Sequence, residues 1–213
     1  MTQTFWPTKP FILAHRGARS LATENTIDAF MKAIELGADG IECDVFLSQD
    51  GIPVVIHDET LDRTTSGHGF VWDHTAKDLS GLGVPTLQQT LECMPNGDVV
   101  NIELKSSQPF PASHWITIIE DLMNQHCRLR FILSSFDPTL LEGWGVSYPI
   151  GLLFDSNQPV QIPTTFNPDA LHLDPSLIPS APAGYKIVLW TAQSLEDARR
   201  WLADGADGVI AEF

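Results

Sequence analysis

Positive charge is scarce in this chain of 213 residues. Twelve lysines and arginines stand against 27 aspartates and glutamates, a formal net charge of −15 with a pI near 4.6. That balance argues against nucleic acid or an anionic membrane as a partner. It also demands a local concentration of cations wherever an anionic substrate is to bind. Cysteine is nearly missing too. Cys43, Cys93 and Cys127 are an odd, scattered set without CxxC spacing, so a disulfide framework is not expected and a reduced, cytoplasmic setting is. No apolar run approaches the roughly 18 residues of a membrane helix. Met1 to Pro10 lacks a basic stretch followed by a long apolar one, so no signal sequence is expected.

The length suffices for one domain with a full core, and residues 1–213 are expected to form one. It lies toward the lower end for a (β/α)8 barrel, which typically takes about 250 residues with a floor near 200. Short apolar runs alternate with amphipathic stretches along the whole chain. Strands are predicted over Phe11–Ala14, Asp39–Val45, Pro53–Ile56, Asp98–Leu104, Arg130–Leu133, Pro149–Phe154, Ala170–Leu173, Lys186–Trp190 and Val209–Ala211. Helices are predicted over Glu24–Leu36 (N-cap Thr23, stop at Gly37), Thr86–Glu92, His114–His126, Pro138–Trp144 and Leu195–Leu202. The Pro-rich stretches Ser156–Pro168 and Pro175–Gly184 carry no helical period. Gly37-Ala38-Asp39-Gly40-Ile41 recurs as Gly205-Ala206-Asp207-Gly208-Val209, the same helix-to-strand corner used twice, which supports a barrel. On that register Glu212 falls where Asp44 does, at a strand end.

Ionisable residues gather where apolar runs end. His15-Arg16-Gly17 follows Phe11-Ile12-Leu13-Ala14, and His57-Asp58 follows Val54-Val55-Ile56. Such placement is how a site is mounted on the C-terminal ends of parallel strands. Glu42 and Asp44 are two apart, so on a strand they share a face. Two adjacent carboxylates repel unless a cation joins them, and a hard divalent ion prefers oxygen ligands. Glu103 and Lys105 share a face in the same way. The bland alternatives are a core histidine at His15 and a surface pair at Glu42 and Asp44; the flanking Arg-Gly and the flanking Ile41 and Val45 speak against them. Glu59–Pro85 is polar and rich in Thr, Gly and Asp, which predicts a long excursion over the barrel mouth. His68, His74, His114, His126 and His172 read as structural.

Taken in order, His15-Arg16-Gly17, Glu24-Asn25-Thr26, Glu42-x-Asp44-Val45, His57-Asp58, Arg63-Thr64-Thr65 and Glu103-Leu104-Lys105 resemble the glycerophosphodiester phosphodiesterase family, from Ile12 to Glu212. The resemblance implies an α/β fold, a (β/α)8 TIM barrel with residues 59–85 as a short insertion at the C-terminal mouth. It implies hydrolysis of a small glycerophosphodiester to sn-glycerol 3-phosphate and an alcohol. One divalent cation, Mg2+ or Ca2+, would be held by Glu42, Asp44 and Glu103. His15 and His57 would divide general acid and base work, Arg16 and Lys105 would contact the phosphoryl oxygens, and Trp190 would wall the glycerol. The family usually has Pro where Thr23 stands and Asp near Glu212. A lysophospholipase D-type activity on the same site, and a catalytically silent metabolite-binding barrel, are the other readings this pattern allows.

Overall fold

The structure, a computed structural model, describes residues 6–106, 110–144 and 148–213. Nine strands form one sheet: β1 (Phe11–His15), β2 (Gly40–Leu47), β3 (Pro53–Val55), β4 (Val99–Leu104), β5 (Arg130–Ser135), β6 (Ile150–Phe154), β7 (Ala170–Leu173), β8 (Lys186–Ala192) and β9 (Gly208–Ala211). All but β3 run parallel, each hydrogen-bonded to the next, and β1 pairs with both β2 and β9, so the sheet closes into an eight-stranded parallel barrel. The short β3 lies antiparallel on the end of β2 and carries the chain out to His57. Among the described residues, five α-helices accompany the strands: α1 (Ile27–Glu35), α2 (Ala76–Gly81), α3 (Leu87–Cys93), α4 (Ala112–Gln125) and α5 (Leu195–Ala203). Among the described residues no helix is long and apolar enough to cross a membrane.

The two-residue alternation of each strand sorts its side chains between two cores. Ile41, Cys43, Val45, Ile102 and Leu104 face outward and join Trp115 and Ile119 of α4 beneath the helices. Phe11, Leu13, Val99, Ile132, Val188 and Ile210 fill the barrel interior. Fully burying each such aliphatic side chain contributes about 1.5–3 kcal/mol. That apolar interior offsets the cost of the polar residues mounted above it at the strand ends.

The recurring Gly-Ala-Asp-Gly corner has a physical task. At the bottom of the sheet a strand residue can be left with an N–H that has no ladder partner. Asp39 accepts the N–H of Ile12 at 2.8 Å and returns its own N–H to the Ile12 carbonyl at 2.9 Å. Asp207 makes the same reciprocal pair with Ile187, and Asp169 makes it with Ile150. One side-chain device therefore anchors three strand starts.

Two local expectations need correction, and one segment gains detail. The first helix begins at Ile27 with Thr26 as its N-cap, not at Glu24 behind Thr23. Asn25 takes the left-handed conformation, φ +56°, which stops the helix from extending backward. Pro138–Leu140 is a single 3-10 turn capped by Asp137, and the Trp144 indole N–H bonds the Leu140 carbonyl instead of continuing a helix. Residues 59–85 are more than a bare loop. Leu61, Val71, Leu79 and Val84 form a small core of their own against Phe46, Val54 and Ile56 of the barrel wall. The two Pro-rich stretches carry no α-helix, as their lack of period predicts; Pro175–Ser180 is a 3-10 turn.

His172 lies wholly inside the barrel, with neither ring nitrogen hydrogen-bonded, and burial drives its pKa down to about 3, so the ring is neutral. It fits because position 151 is glycine: a β-carbon there would stand 2.2 Å from His172 Nε2. Gly151→Ala is expected to cost about 1–3 kcal/mol by overpacking, and His172→Ala in the same chain to relieve part of that cost. Urea unfolding of the two single variants and the double variant measures this. An equal Gly151→Ala cost in both backgrounds would show that the histidine is not what glycine accommodates.

Candidate active site

At the end of β1 the chain turns sharply. Arg16 is left-handed at φ +59° and Gly17 follows at φ +84°. A β-carbon on Gly17 would lie 2.6 Å from the Ala29 carbonyl carbon, so only glycine lets this turn pack against α1. The Arg16 N–H donates to the Glu42 carbonyl at 3.1 Å and lies 3.2 Å from Glu42 Oε2. Its guanidinium places Nε 3.2 Å from Asp44 Oδ2 and Nη1 3.0 Å from Glu24 Oε1. Asn25, strained in the same sense, donates its N–H to the Arg16 carbonyl at 2.9 Å and its amide to Asp44 Oδ2 at 2.8 Å. Non-glycine residues at positive φ cost about 1–3 kcal/mol each and persist where surrounding contacts over-determine them. Here both sit beside the carboxylates.

Each histidine at the mouth has a carboxylate behind it. His15 Nδ1 is 2.8 Å from Glu212 Oε1, and His57 Nδ1 is 2.6 Å from Asp58 Oδ1. A carboxylate on Nδ1 sets the ring orientation and leaves Nε2 for the cavity. Asp58 is clamped by Arg63, whose Nε and Nη2 lie 2.5 and 3.1 Å away. Those bonds hold the Asp58 pKa down at about 2. Burial lowers the pKa of His57; nearby Asp44 only partly compensates. Burial opposes ionisation of Glu212 and Glu24, but their partners outweigh it and both pKa values fall: His15 and Arg19 for Glu212, Arg63 and Arg16 for Glu24.

Glu42, Asp44 and Glu103 meet at the centre, each contributing one oxygen to a group lying within 4.8 Å of one another. All three are buried, Asp44 to 1% exposure. Lys105 Nζ is 2.9 Å from Asp44 Oδ1 and donates to Glu103 Oε1. Burial and its two carboxylate neighbours raise the Glu42 pKa well above the ordinary range. Burial also raises Glu103, to about 7, against the pull of Lys105. Asp44 goes the other way: burial is outweighed by Lys105, Arg16 and His57, and its pKa drops. Glu42 Oε1 is buried with no hydrogen-bond donor, and Asp44 Oδ1 has its ion pair but no well-directed hydrogen bond. Converging, all-oxygen donors with unused lone pairs fit a hard divalent cation.

A cavity of about 230 Å³ opens over this group. Among the candidates read from the sequence, His15, Arg16, Glu42, His57, Glu103, Lys105 and Trp190 line it, and Asp44 lies behind Arg16 and Lys105. The structure thus brings all eight together from five strand ends. His68, His74, His114, His126 and His172 are not among the lining residues. Phe136, which the sequence reading did not single out, forms the far wall with Trp190, ring centroids 5.5 Å apart and nearly perpendicular. Its signal was position alone, one residue past β5. Asp58 and Glu212 were legible as polar residues at strand ends, but not as partners of particular histidines. Arg63 was expected to hold the loop after His57, and it does so by bridging Asp58 to Glu24.

The raised Glu103 pKa has a consequence for stability without metal. Between its ordinary 4.5 and about 7, the folded chain keeps a proton that the unfolded chain has released. Stability from this group therefore falls as pH rises through that window. The Asp44 contribution is lost only at lower pH, below its ordinary 3.8. Urea midpoints in EDTA are expected to decline from pH 4.5 to 7 in the wild type and to decline less steeply in Glu103→Gln, where Glu42, its pKa also raised, keeps its own share of the fall. Identical slopes in the two proteins would contradict this.

The comparisons with known proteins agree with the geometry. Residues 15–213 match the model of the glycerophosphoryl diester phosphodiesterase family. A glycerophosphodiester phosphodiesterase of Caldanaerobacter subterraneus subsp. tengcongensis is 36% identical, the match covering 96% of this chain and 94% of that one. Among solved structures, an Oleispira antarctica phosphodiesterase in complex with the product sn-glycerol-3-phosphate superposes with a TM-score of 0.81. It is 27% identical, over 98% of this chain and 95% of that one. The Thermotoga maritima glycerophosphodiester phosphodiesterase gives 0.75 at 28% identity, over 96% and 95%. With its motifs gathered at one barrel mouth and residues 15–213 matched, this chain belongs to the glycerophosphoryl diester phosphodiesterase family.

Proposed function

We propose that this enzyme hydrolyses glycerophosphodiesters to sn-glycerol 3-phosphate and an alcohol, with a divalent cation, Mg2+ or Ca2+, and two histidines. One observation carries the reading: two carboxylate-backed imidazoles, His15 and His57, border the same small cavity as three converging carboxylates and two cationic side chains. The relative bound to sn-glycerol-3-phosphate supports the product class.

Glu42, Asp44 and Glu103 would hold the cation, which when bound supplies Lewis-acid polarisation of a phosphoryl oxygen. Arg16 and Lys105 bring the positive charge that an anionic diester needs in a chain of net charge −15 and balance the charge growing on the phosphoryl oxygens. Trp190 and Phe136 offer an apolar wall to the glycerol carbons. One imidazole accepts the proton of the attacking oxygen through Nε2; the other gives a proton to the departing alcohol oxygen. With the substrate's own 2-hydroxyl as nucleophile, its oxygen bonds to phosphorus as the bond to the alcohol breaks. Water then opens the resulting cyclic phosphate, with the proton roles reversed. Asp58 and Glu212 keep the two rings aimed throughout.

Among the described residues, the apolar lining of the cavity is confined to Phe136, Leu153, Trp190 and Ile210. Phe70 and Trp72 stack on each other at 4.8 Å and are not part of that lining. This favours short polar diesters over lysophospholipids.

EDTA-stripped protein is expected to release glycerol 3-phosphate from glycerophosphocholine or glycerophosphoethanolamine only after Mg2+ or Ca2+ is restored. His15→Ala and His57→Ala should each lower kcat by roughly 10²–10⁴-fold. Full turnover in EDTA would sink the metal role, and variants retaining wild-type kcat would sink the two-histidine mechanism.

A further inference from the structure

Lys105 holds an unusual position for a residue expected to contact substrate. Its ammonium sits on the metal cluster itself, 2.9 Å from Asp44 Oδ1 and hydrogen-bonded to Glu103 Oε1. These two carboxylates belong to the group proposed to ligate the cation. Arg16 is placed differently. It binds Asp44 through the other oxygen, Oδ2, which Asn25 also occupies, and its Nη1 is tied to Glu24. The lysine therefore bridges two of the three clustered carboxylates, Asp44 and Glu103, whereas the arginine holds Asp44 alone, by its other oxygen.

An ammonium and a divalent cation cannot share those oxygens without strong repulsion in a buried site. Of the two, the lysine can leave. Its stem is flexible, its charge is compact, and its side chain borders the cavity. The face of Phe136 lies 6.0 Å from Nζ on the cavity side, a distance at which an aromatic ring attracts a cation. We infer that Lys105 and the divalent cation compete for the oxygens of Asp44 and Glu103, so that cation loading turns the ammonium toward Phe136 and the phosphoryl position. This rests on the metal-dependent reading above and adds an order to it: the substrate-binding lysine is deployed by the cation, so the cation binds before the diester.

The test is calorimetric titration of EDTA-stripped protein with Ca2+ and with Mg2+, for the wild type, Lys105→Met and Arg16→Met. Competition predicts that Lys105→Met tightens cation binding on the order of tenfold or more, and Arg16→Met clearly less. The chain has five lysines, so wild-type protein labelled with 13C-lysine gives few side-chain signals. One of them, missing from the Lys105→Met spectrum, should move as the cation is added. Should Lys105→Met fail to fold, Lys105→Gln supplies both the affinity and the assignment. Cation binding that is unchanged or weaker without the lysine, with an unmoved Lys105 signal in the wild type, would overturn the competition while leaving the metal site standing. No binding of either cation to the wild type or to Lys105→Met would overturn both.

Discussion

Three carboxylates buried within a few ångströms of one another cannot all be charged without compensation. The mouth of this barrel is built around that constraint. Glu42 and Glu103 respond by holding protons more tightly; Asp44 stays ionised because Lys105 and Arg16 flank it. The arrangement is costly for folding alone, since paired apolar residues of similar volume would do as well or better. Its place at the open end of the strands fits the seat for a cation proposed above.

The surrounding structure serves to hold those charges in place. Arg16 is pinned by its own strained backbone and by Asn25, and the Gly17 turn presses both against α1. Glu24 receives Arg16 and Arg63 at once, and Arg63 passes the restraint on to Asp58 and thus to His57. The segment of residues 59–85 therefore does more than cover the wall. Its small apolar core fixes the base from which Arg63 reaches the site. On the opposite side, Glu212 closes the ring of contacts between β9 and His15. Beneath the mouth, the apolar interior and the aspartate-anchored strand starts provide a rigid support, so that the three carboxylates need not be gathered at the expense of ordering a loop.

Much of this was written in the chain itself. Alternation of short apolar runs, the repeated Gly-Ala-Asp-Gly corner and the placement of ionisable residues at strand ends pointed to a barrel and to ionisable residues at its mouth, and the family resemblance added Trp190. Those features are local: a strand's period sends Glu42 and Asp44 to one face whatever else the chain does. The start of the first helix was misplaced because the conformation of Asn25 depends on Asp44, nineteen positions away. The turn at Pro138 was overextended because Trp144 spends its indole N–H on the Leu140 carbonyl.

The sequence by itself determined which side chains could carry chemistry, which faces of the strands would present them, and that charge had to be concentrated in an otherwise acidic chain. Pairings across long separations were decided only by the closed barrel. His15 meets Glu212 because β1 and β9 are neighbours at the seam. Phe136 faces Trp190, and Lys105 stands on Asp44 in preference to open solvent. Periodicity sets the direction of a side chain from its own strand. The identity of its partner follows from register and shear around the whole barrel, which no local stretch of sequence contains.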